Sequence, residues 1–276
     1  MLGQALAGAF SDLELFTPEE ARVDITDAPR VRDYLFAARP GLIINAAGHE
    51  RPEQTDEPAG YLKAMAVNGW AVETLARAAR LLAAPLIHFS TSRVFAGQAG
   101  GGFSEYDRAG PGERLSGYGR SKLLGEKLLL REGGKFYLIR AGRLFGRANG
   151  AAIGRQGLVE AFLKEAGEEI FLKAPDAGAS SLTYVPDLAR AARELWDGQE
   201  TAGAYHLVNE GAASAYQIAK TVVARSGRGA IVRPVQAAGP DRVAFQSCYP
   251  LLLNTKRPRM RPWQEALGEY IGKIKN

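Results

Sequence analysis

Leu86-Ile87-His88-Phe89-Ser90-Thr91 is a nearly continuous apolar run that ends in two hydroxyls, the pattern of a strand buried on both faces of a parallel sheet. Further on, Tyr118-Gly119-Arg120-Ser121-Lys122 places a phenol and an ammonium four residues apart, on one face if the segment is helical. Leu123, Leu124 and Leu128-Leu129-Leu130 supply that segment with an apolar side. A strand end carrying hydroxyls, followed by a helix carrying Tyr and Lys, is where an α/β sheet puts its chemistry. A free phenol has a pKa of about 10, so proton exchange near neutrality needs help, and the charge of Lys122 beneath Tyr118 favours the ionised form. Tyr118 and Lys122, downstream of the Ser90-Thr91 strand end, therefore read as a proton-donating site for carbonyl or alcohol chemistry.

Outward from this pair the chain alternates between the two periods. Leu13-Glu14-Leu15-Phe16 reads as a short strand, Ala28 to Ala38 as a helix, and Gly41 to Gly48 as a buried strand running into a small-residue turn. Tyr61 to Leu82 reads as one long helix, with Ala64, Val67, Ala71, Leu75, Ala78 and Leu82 near helical spacing. Phe136 to Arg140 is the next strand. After Gly146 the rhythm changes: Asn149 to Gly157 is rich in Gly, Ala and polar residues. Tyr184 to Ala189 starts a helix with Asp187 near its N-terminus, where an acid suits the dipole. Tyr205 to Val208 is a strand, Tyr216 to Arg225 a helix, and Trp263 to Ile274 a closing helix. Strand and helix alternating in this way predict a doubly wound parallel α/β sheet.

Composition sets the limits. At 276 residues, 46% hydrophobic and 24% charged, the chain can bury one substantial core, or a large domain with a smaller partner. No apolar run reaches membrane-spanning length and no signal-peptide pattern opens the sequence, so a cytoplasmic protein is expected. Cys248 is the single cysteine, which excludes an internal disulfide or a Cys-based metal site. His49, His88 and His206 lack metal-ligand spacing. The net charge of +5 draws attention to Lys256-Arg257-Pro258-Arg259-Met260-Arg261. That run contains proline and accompanies no nucleic-acid motif, so it reads as a surface segment. A modest positive field suits an anionic substrate such as a nucleotide phosphate.

Several motifs recur in a telling order: Val23-Asp24-Ile25-Thr26-Asp27, Ile44-Asn45-Ala46-Ala47, Ser90-Thr91 with Val94-Phe95, and Tyr118 to Leu123. Thr183 to Ala189 and Tyr205 to Gly211 complete the set. From Met1 to about Tyr270 this order resembles the extended short-chain dehydrogenase/reductases, and within them the dTDP-4-dehydrorhamnose reductase family. The resemblance implies a Rossmann-like doubly wound parallel sheet with a smaller C-terminal substrate lobe. Residues 1–146 would form the dinucleotide-binding lobe, with segments near 183–209 returning to it, and residues 147–276 mainly the substrate-binding lobe. It implies NADPH as cofactor, with NADH left open, and reduction of the 4-keto group of a dTDP-linked 6-deoxyhexose, the last step toward dTDP-L-rhamnose.

Residue by residue, the resemblance has Thr91 hydrogen-bonding the substrate carbonyl, Tyr118 donating the proton, and Lys122 holding the nicotinamide ribose. Asp24 and Ile25 would pack near the adenine, and Ala46 and Ala47 would let the cofactor lie close to a strand end. Asn68 would order the active-site backbone beside the cofactor, and Gly3 would match the final glycine of a Gly-rich turn. The family begins with a strand before that turn, so the expectation is that the true start lies about ten residues upstream, roughly one strand plus a turn. Thr17 to Arg22 offers both an acid for a free ribose hydroxyl and Arg22 for a 2′-phosphate. A homodimer is compatible with the chain, since helix faces in one sequence do not separate a dimer surface from a core.

Two substrate-side positions depart from the family. Ser92-Arg93 stands where an Asp-Tyr pair is usual, and Arg143 stands where a Trp lines the sugar pocket. An arginine brings charge and a hydrogen-bonding fork in place of an apolar wall. Ser92 and Arg143 thus favour a reductase or epimerase of another nucleotide sugar as the alternative enzyme. A non-catalytic nucleotide-binding regulatory subunit, like the regulatory partner of methionine adenosyltransferase, is the alternative of a different class.

Overall fold

The computed structural model describes residues 1–49, 55, 57–96, 101–146, 157–236 and 250–275. Its strands are β1 (Ile43–Asn45), β2 (Leu86–Thr91), β3 (Phe136–Ala141), β4 (Arg143–Phe145), β5 (Phe171–Pro175), β6 (Ser180–Tyr184), β7 (Gly203–His206), β8 (Asn209–Glu210), β9 (Ala212–Ala213), β10 (Ile231–Val235) and β11 (Met260–Pro262). The α-helices are α1 (Leu2–Ala9), α2 (Ala28–Ala38), α3 (Pro58–Met65), α4 (Ala71–Leu81), α5 (Gly117–Glu132), α6 (Leu158–Glu168), α7 (Val185–Asp197), α8 (Ala215–Ser226) and α9 (Trp263–Lys275).

The main sheet is parallel, in the order β1-β2-β3-β7. Every residue of β2 is buried, which explains why its sequence shows no polar alternation. Successive side chains still go to opposite faces. Ile87 and Phe89 join Tyr137 and Ile139 against Leu6 of α1, Phe10 directly after it, and Leu188, Ala192 and Leu195 of α7. Leu86 and Leu138 join Val72, Leu75 and Ala79 of α4 and Leu129 of α5 on the other side, with Val31 and Leu35 of α2 beyond. Helices on both faces make this a Rossmann-like doubly wound α/β sheet, and each fully buried Leu or Ile contributes about 1.5–3 kcal/mol.

A smaller lobe follows. β4, β6 and β9 form a three-stranded sheet, with β5–β10 and β8–β11 as separate pairs. Phe145, Phe162, Leu172, Tyr184, Ile218, Val222, Trp263, Leu267 and Tyr270 fill its core. Ser214 caps α8 through a reciprocal bond set with Gln217, and Gly227 ends it in the left-handed conformation. The segment 203–206 leaves this lobe and pairs with β3. Asn149 to Arg155 and Cys248 lie outside the described residues.

Two sequence readings are corrected here. Leu13 to Phe16 is not a strand: it makes no ladder, and Leu13, Leu15 and Phe16 are 42%, 41% and 54% exposed. β propensity is expressed only where side chains pack on a pleated surface, and this run has none under it. Nor is Tyr61 to Leu82 one α-helix. α3 and α4 are joined by a π-helical turn, Ala66–Trp70.

The basic run near the end is held by the chain's own acids. Arg257 pairs with Glu200, Arg259 with Glu210, and Arg261 with Asp187 and Glu269. Asp187 is 2% exposed and also accepts from Asn209 Nδ2 at 2.8 Å, so the arginine pair completes a buried hub. Among the described residues no helix is long and apolar enough to cross a membrane.

Candidate active site

The C-terminal end of β2 and the first turns of α5 meet at one edge of the main sheet. Ser116 caps α5, its hydroxyl accepting from Gly119 N at 3.2 Å, so Tyr118 and Lys122 fall in the first two turns. Both are buried, at 9% and 4% exposure. Lys122 Nζ donates to the Phe89 carbonyl at 3.1 Å, tying the ammonium to the strand that ends in Thr91. Thr91 is itself buried, and its Oγ1 accepts from Arg93 N at 3.3 Å. The guanidinium of Arg93 lies 5.5 Å from the centre of the Tyr118 ring.

Close approach of α5 depends on its glycines. A Cβ on Gly119 would stand 2.5 Å from the Arg93 carbonyl oxygen, one on Gly117 2.7 Å from that of Thr55, and one on Gly125 2.2 Å from that of Asn68. Gly125 therefore sets how near α5 comes to the π turn. We expect Gly125→Ala to cost about 3 kcal/mol, the upper end for overpacking, while Gly41→Ala stays within about 0.5 kcal/mol. A Cβ on Gly41 meets nothing within 4 Å. Urea unfolding of both variants checks the contrast.

The π turn explains Asn68. The extra residue turns its side chain inward, where it is 1% exposed, a use often found for such turns at functional sites. Its Oδ1 accepts from His49 N at 2.8 Å, and its Nδ2 donates to His49 O at 3.1 Å and Ser121 Oγ at 3.0 Å. Ser121 Oγ donates in turn to Tyr118 O at 2.8 Å. Asn68 thus links the loop after β1 to the backbone of Tyr118.

β1 and β2 are joined by a buried side-chain pair at their last shared register. Asn45 Oδ1 accepts from Ala47 N at 3.1 Å, which turns its Nδ2 toward His88 Nδ1, also at 3.1 Å. That assigns Nδ1 as acceptor and the proton to Nε2. Burial pushes the His88 pKa down to about 3, and the Lys122 charge adds to the effect. Burial likewise lowers His206 to about 4, against the opposing pull of Glu105. The unfolded chain binds protons at these rings near 6.5, the folded chain only well below. Their stability is complete above about pH 6.5 and is lost as pH falls toward 4 and then 3. We expect unfolding free energy to decline across that window, and His88→Gln, which cannot take up the charge, to decline less steeply.

The remaining candidates are distributed around this edge. Gly3 lies in the first turn of α1, where a Cβ would be 3.8 Å from Ala46 Cβ. Gly3 thus faces the small side chain of Ala46, just after β1, and Met1 offers no side-chain cap to the first amides of α1. Helix N-termini of this kind take phosphate, and small residues there let a pyrophosphate approach the backbone, so the site fits a dinucleotide. Ala47 is exposed beside it. Asp24 and Ile25 sit in the turn before α2. Asp24 Oδ1 accepts from Thr26 N and Oγ1, both at 2.8 Å, and the Thr26 amide and hydroxyl lower its pKa. Ser92 is fully buried, its hydroxyl without a partner among the described residues. Arg143, half-buried on β4, lies two residues beyond Ala141, the ladder partner of Thr91. Neither Glu126 nor Gly125 stands out in the sequence, and Ser90 does so only as a strand-end hydroxyl; the i,i+4 spacing of Lys122 and Glu126 was the available clue.

A doubly wound parallel sheet with Thr, Tyr and Lys gathered at one edge defines an extended short-chain dehydrogenase/reductase. The family model described as RmlD substrate binding domain matches residues 1–276, and the chain belongs to this family, that of the dTDP-4-dehydrorhamnose reductases. The dTDP-4-dehydrorhamnose reductase of Burkholderia thailandensis is 30% identical over 286 residues, covering 99% of this chain and 86% of the relative. The spore coat polysaccharide biosynthesis protein SpsK of Bacillus subtilis is 27% identical, over 94% of this chain and 88% of its own. Among solved structures, a dTDP-4-dehydrorhamnose reductase from Clostridium acetobutylicum superposes with a TM-score of 0.87 at 25% identity, over 100% of this chain and 96% of the other.

Proposed function

We propose that this protein uses NADPH, or NADH, to reduce the 4-keto group of a dTDP-linked 6-deoxyhexose in the cytoplasm, as a dTDP-4-dehydrorhamnose reductase. The observation that carries the proposal is the Tyr118–Lys122 face of α5, fastened through Phe89 O to the strand that ends in Thr91. Relatives that bear this name and align along almost the whole chain support the sugar. Gly3, Ala46 and Ala47 would hold the dinucleotide at the sheet edge, with Asp24 and Ile25 toward its adenine and Lys122 at the nicotinamide ribose.

When bound, the reduced nicotinamide supplies the hydride. As a carbonyl carbon accepts it, negative charge builds on oxygen, and the Tyr118 phenol donates a proton there. The Thr91 hydroxyl donates a hydrogen bond to the same oxygen. Lys122, four residues along the same face of α5, would stabilise the phenolate that remains. Residues 1–146, with the returning 183–209 segments, serve the cofactor, and residues 147–276 mainly serve the sugar.

The test is oxidation of NADPH on addition of dTDP-4-dehydrorhamnose, with dTDP-L-rhamnose identified as product. Tight NADPH binding without turnover of this sugar would overturn the assignment. Arg93 beside the Tyr118 ring and Arg143 at the same edge favour, as second reading, a nucleotide sugar richer in oxygen or charge. A panel of other 4-keto nucleotide sugars separates the two.

A further inference from the structure

Glu126 stands one turn beyond Lys122 on α5 and is 1% exposed. Its carboxylate accepts from Ser90 Oγ at 2.5 Å and from Arg140 Nε and Nη2 at 3.0 and 2.8 Å. Ser90 and Arg140 are ladder partners on β2 and β3, at 7% and 6% exposure. Arg140 is seated on its far side as well, 4.9 Å over the Phe95 ring and 3.4 Å from His206 Nε2. Glu105 then accepts from His206 N at 3.2 Å and from Thr255 Oγ1 at 2.7 Å. The polar chain therefore runs from α5 through β2, β3 and β7 to the segment after residue 250.

A buried ion pair is poor evidence for stability, since apolar residues of similar volume often serve as well or better. Its geometry points to another use. Lys122 grips the carbonyl of Phe89, and Glu126 grips the side chain of Ser90. Two successive turns of α5 thus hold two successive residues of β2, and the next residue is Thr91. Ser90 shares the face of β2 that carries Leu86 and His88, the face turned to α5. We propose that Glu126 is a positioning residue: through the Ser90 hydroxyl it fixes the end of β2 against α5 and so sets Thr91 relative to Tyr118. Arg140 supplies the countercharge that lets the carboxylate stay buried. The inference rests on the reductase reading for its consequence in turnover, and on geometry alone for its structural part.

Ser90→Ala tests it while leaving both Arg140–Glu126 bonds in place. We expect kcat to fall about 10- to 100-fold, as misplacement of a catalytic group by about 1 Å does, with KM for NADPH within about twofold. Ser90→Thr, which keeps the hydroxyl, should recover most of the loss, a rescue that a purely structural role does not predict. Glu126→Gln should act in the same direction. Unchanged kcat in Ser90→Ala, or a loss that Ser90→Thr leaves uncorrected, overturns the proposal. If the wild type turns over no keto sugar, the reductase reading fails, and crystal structures of wild type and Ser90→Ala still decide the inference. A displaced Thr91 upholds it, and an unmoved one sinks it.

Discussion

Tyr118→Phe lowers kcat by about 10²- to 10⁴-fold, the range for loss of a positioned general acid, while the protein folds and binds NADPH as before. The ring is retained, so its packing and its contact with Arg93 survive, and only the transferable proton is lost. KM for the sugar should change little, because the phenol acts as charge develops on the carbonyl oxygen rather than in the ground state. Steady-state kinetics beside a cofactor titration check both halves. A kcat within a few-fold of wild type would place the proton donor elsewhere.

Lys122→Met has the second-largest expected effect, on two quantities at once. The ammonium bonds Phe89 O at 3.1 Å and is 4% exposed, so its removal leaves a buried carbonyl unpaired, at about 1–3 kcal/mol. On the proposed reductase reading it would also remove a charge that favours the phenolate and a donor for the nicotinamide ribose. We expect kcat/KM to fall by at least about 10²-fold and NADPH affinity to weaken, a combination that Tyr118→Phe does not show. His88 provides an internal check. Lys122 stands second to burial among the causes that hold its pKa near 3, so the variant should titrate His88 at higher pH by NMR, though still below an exposed imidazole.

Much of this architecture was legible because two periods govern it. The apolar runs at residues 43–45, 86–91 and 136–141 have no polar alternation, and only strands covered on both faces tolerate that. The placing of Tyr118 and Lys122 after a hydroxyl-bearing strand end was legible for the same reason, since a strand end and a helical four-residue step are both written in spacing, whereas the part given to Thr91 came from the family resemblance. What stayed hidden depends on partners distant in the chain. Glu126 looks like a residue of a solvated helix face until Ser90 and Arg140 are brought to it. Gly125 looks like a weak point in a helix until the Asn68 carbonyl arrives at its Cα. Leu13 to Phe16 has strand composition, but a strand also needs a neighbour, and composition does not supply one. Asn68 and Gly69 are costly inside an α-helix, and the π turn that makes use of them depends on partners elsewhere in the chain.

The π turn at residues 66–70 also makes chain length a variable in this protein. A π turn amounts to one residue more than an α-helical path requires, so deleting one residue there would let α3 run into α4 without a break. Each residue of an α-helix advances about 100° around the axis, and the deletion would rotate all of α3 relative to α4 by that angle. Asn68 would leave His49 and Ser121 although no polar group had been mutated.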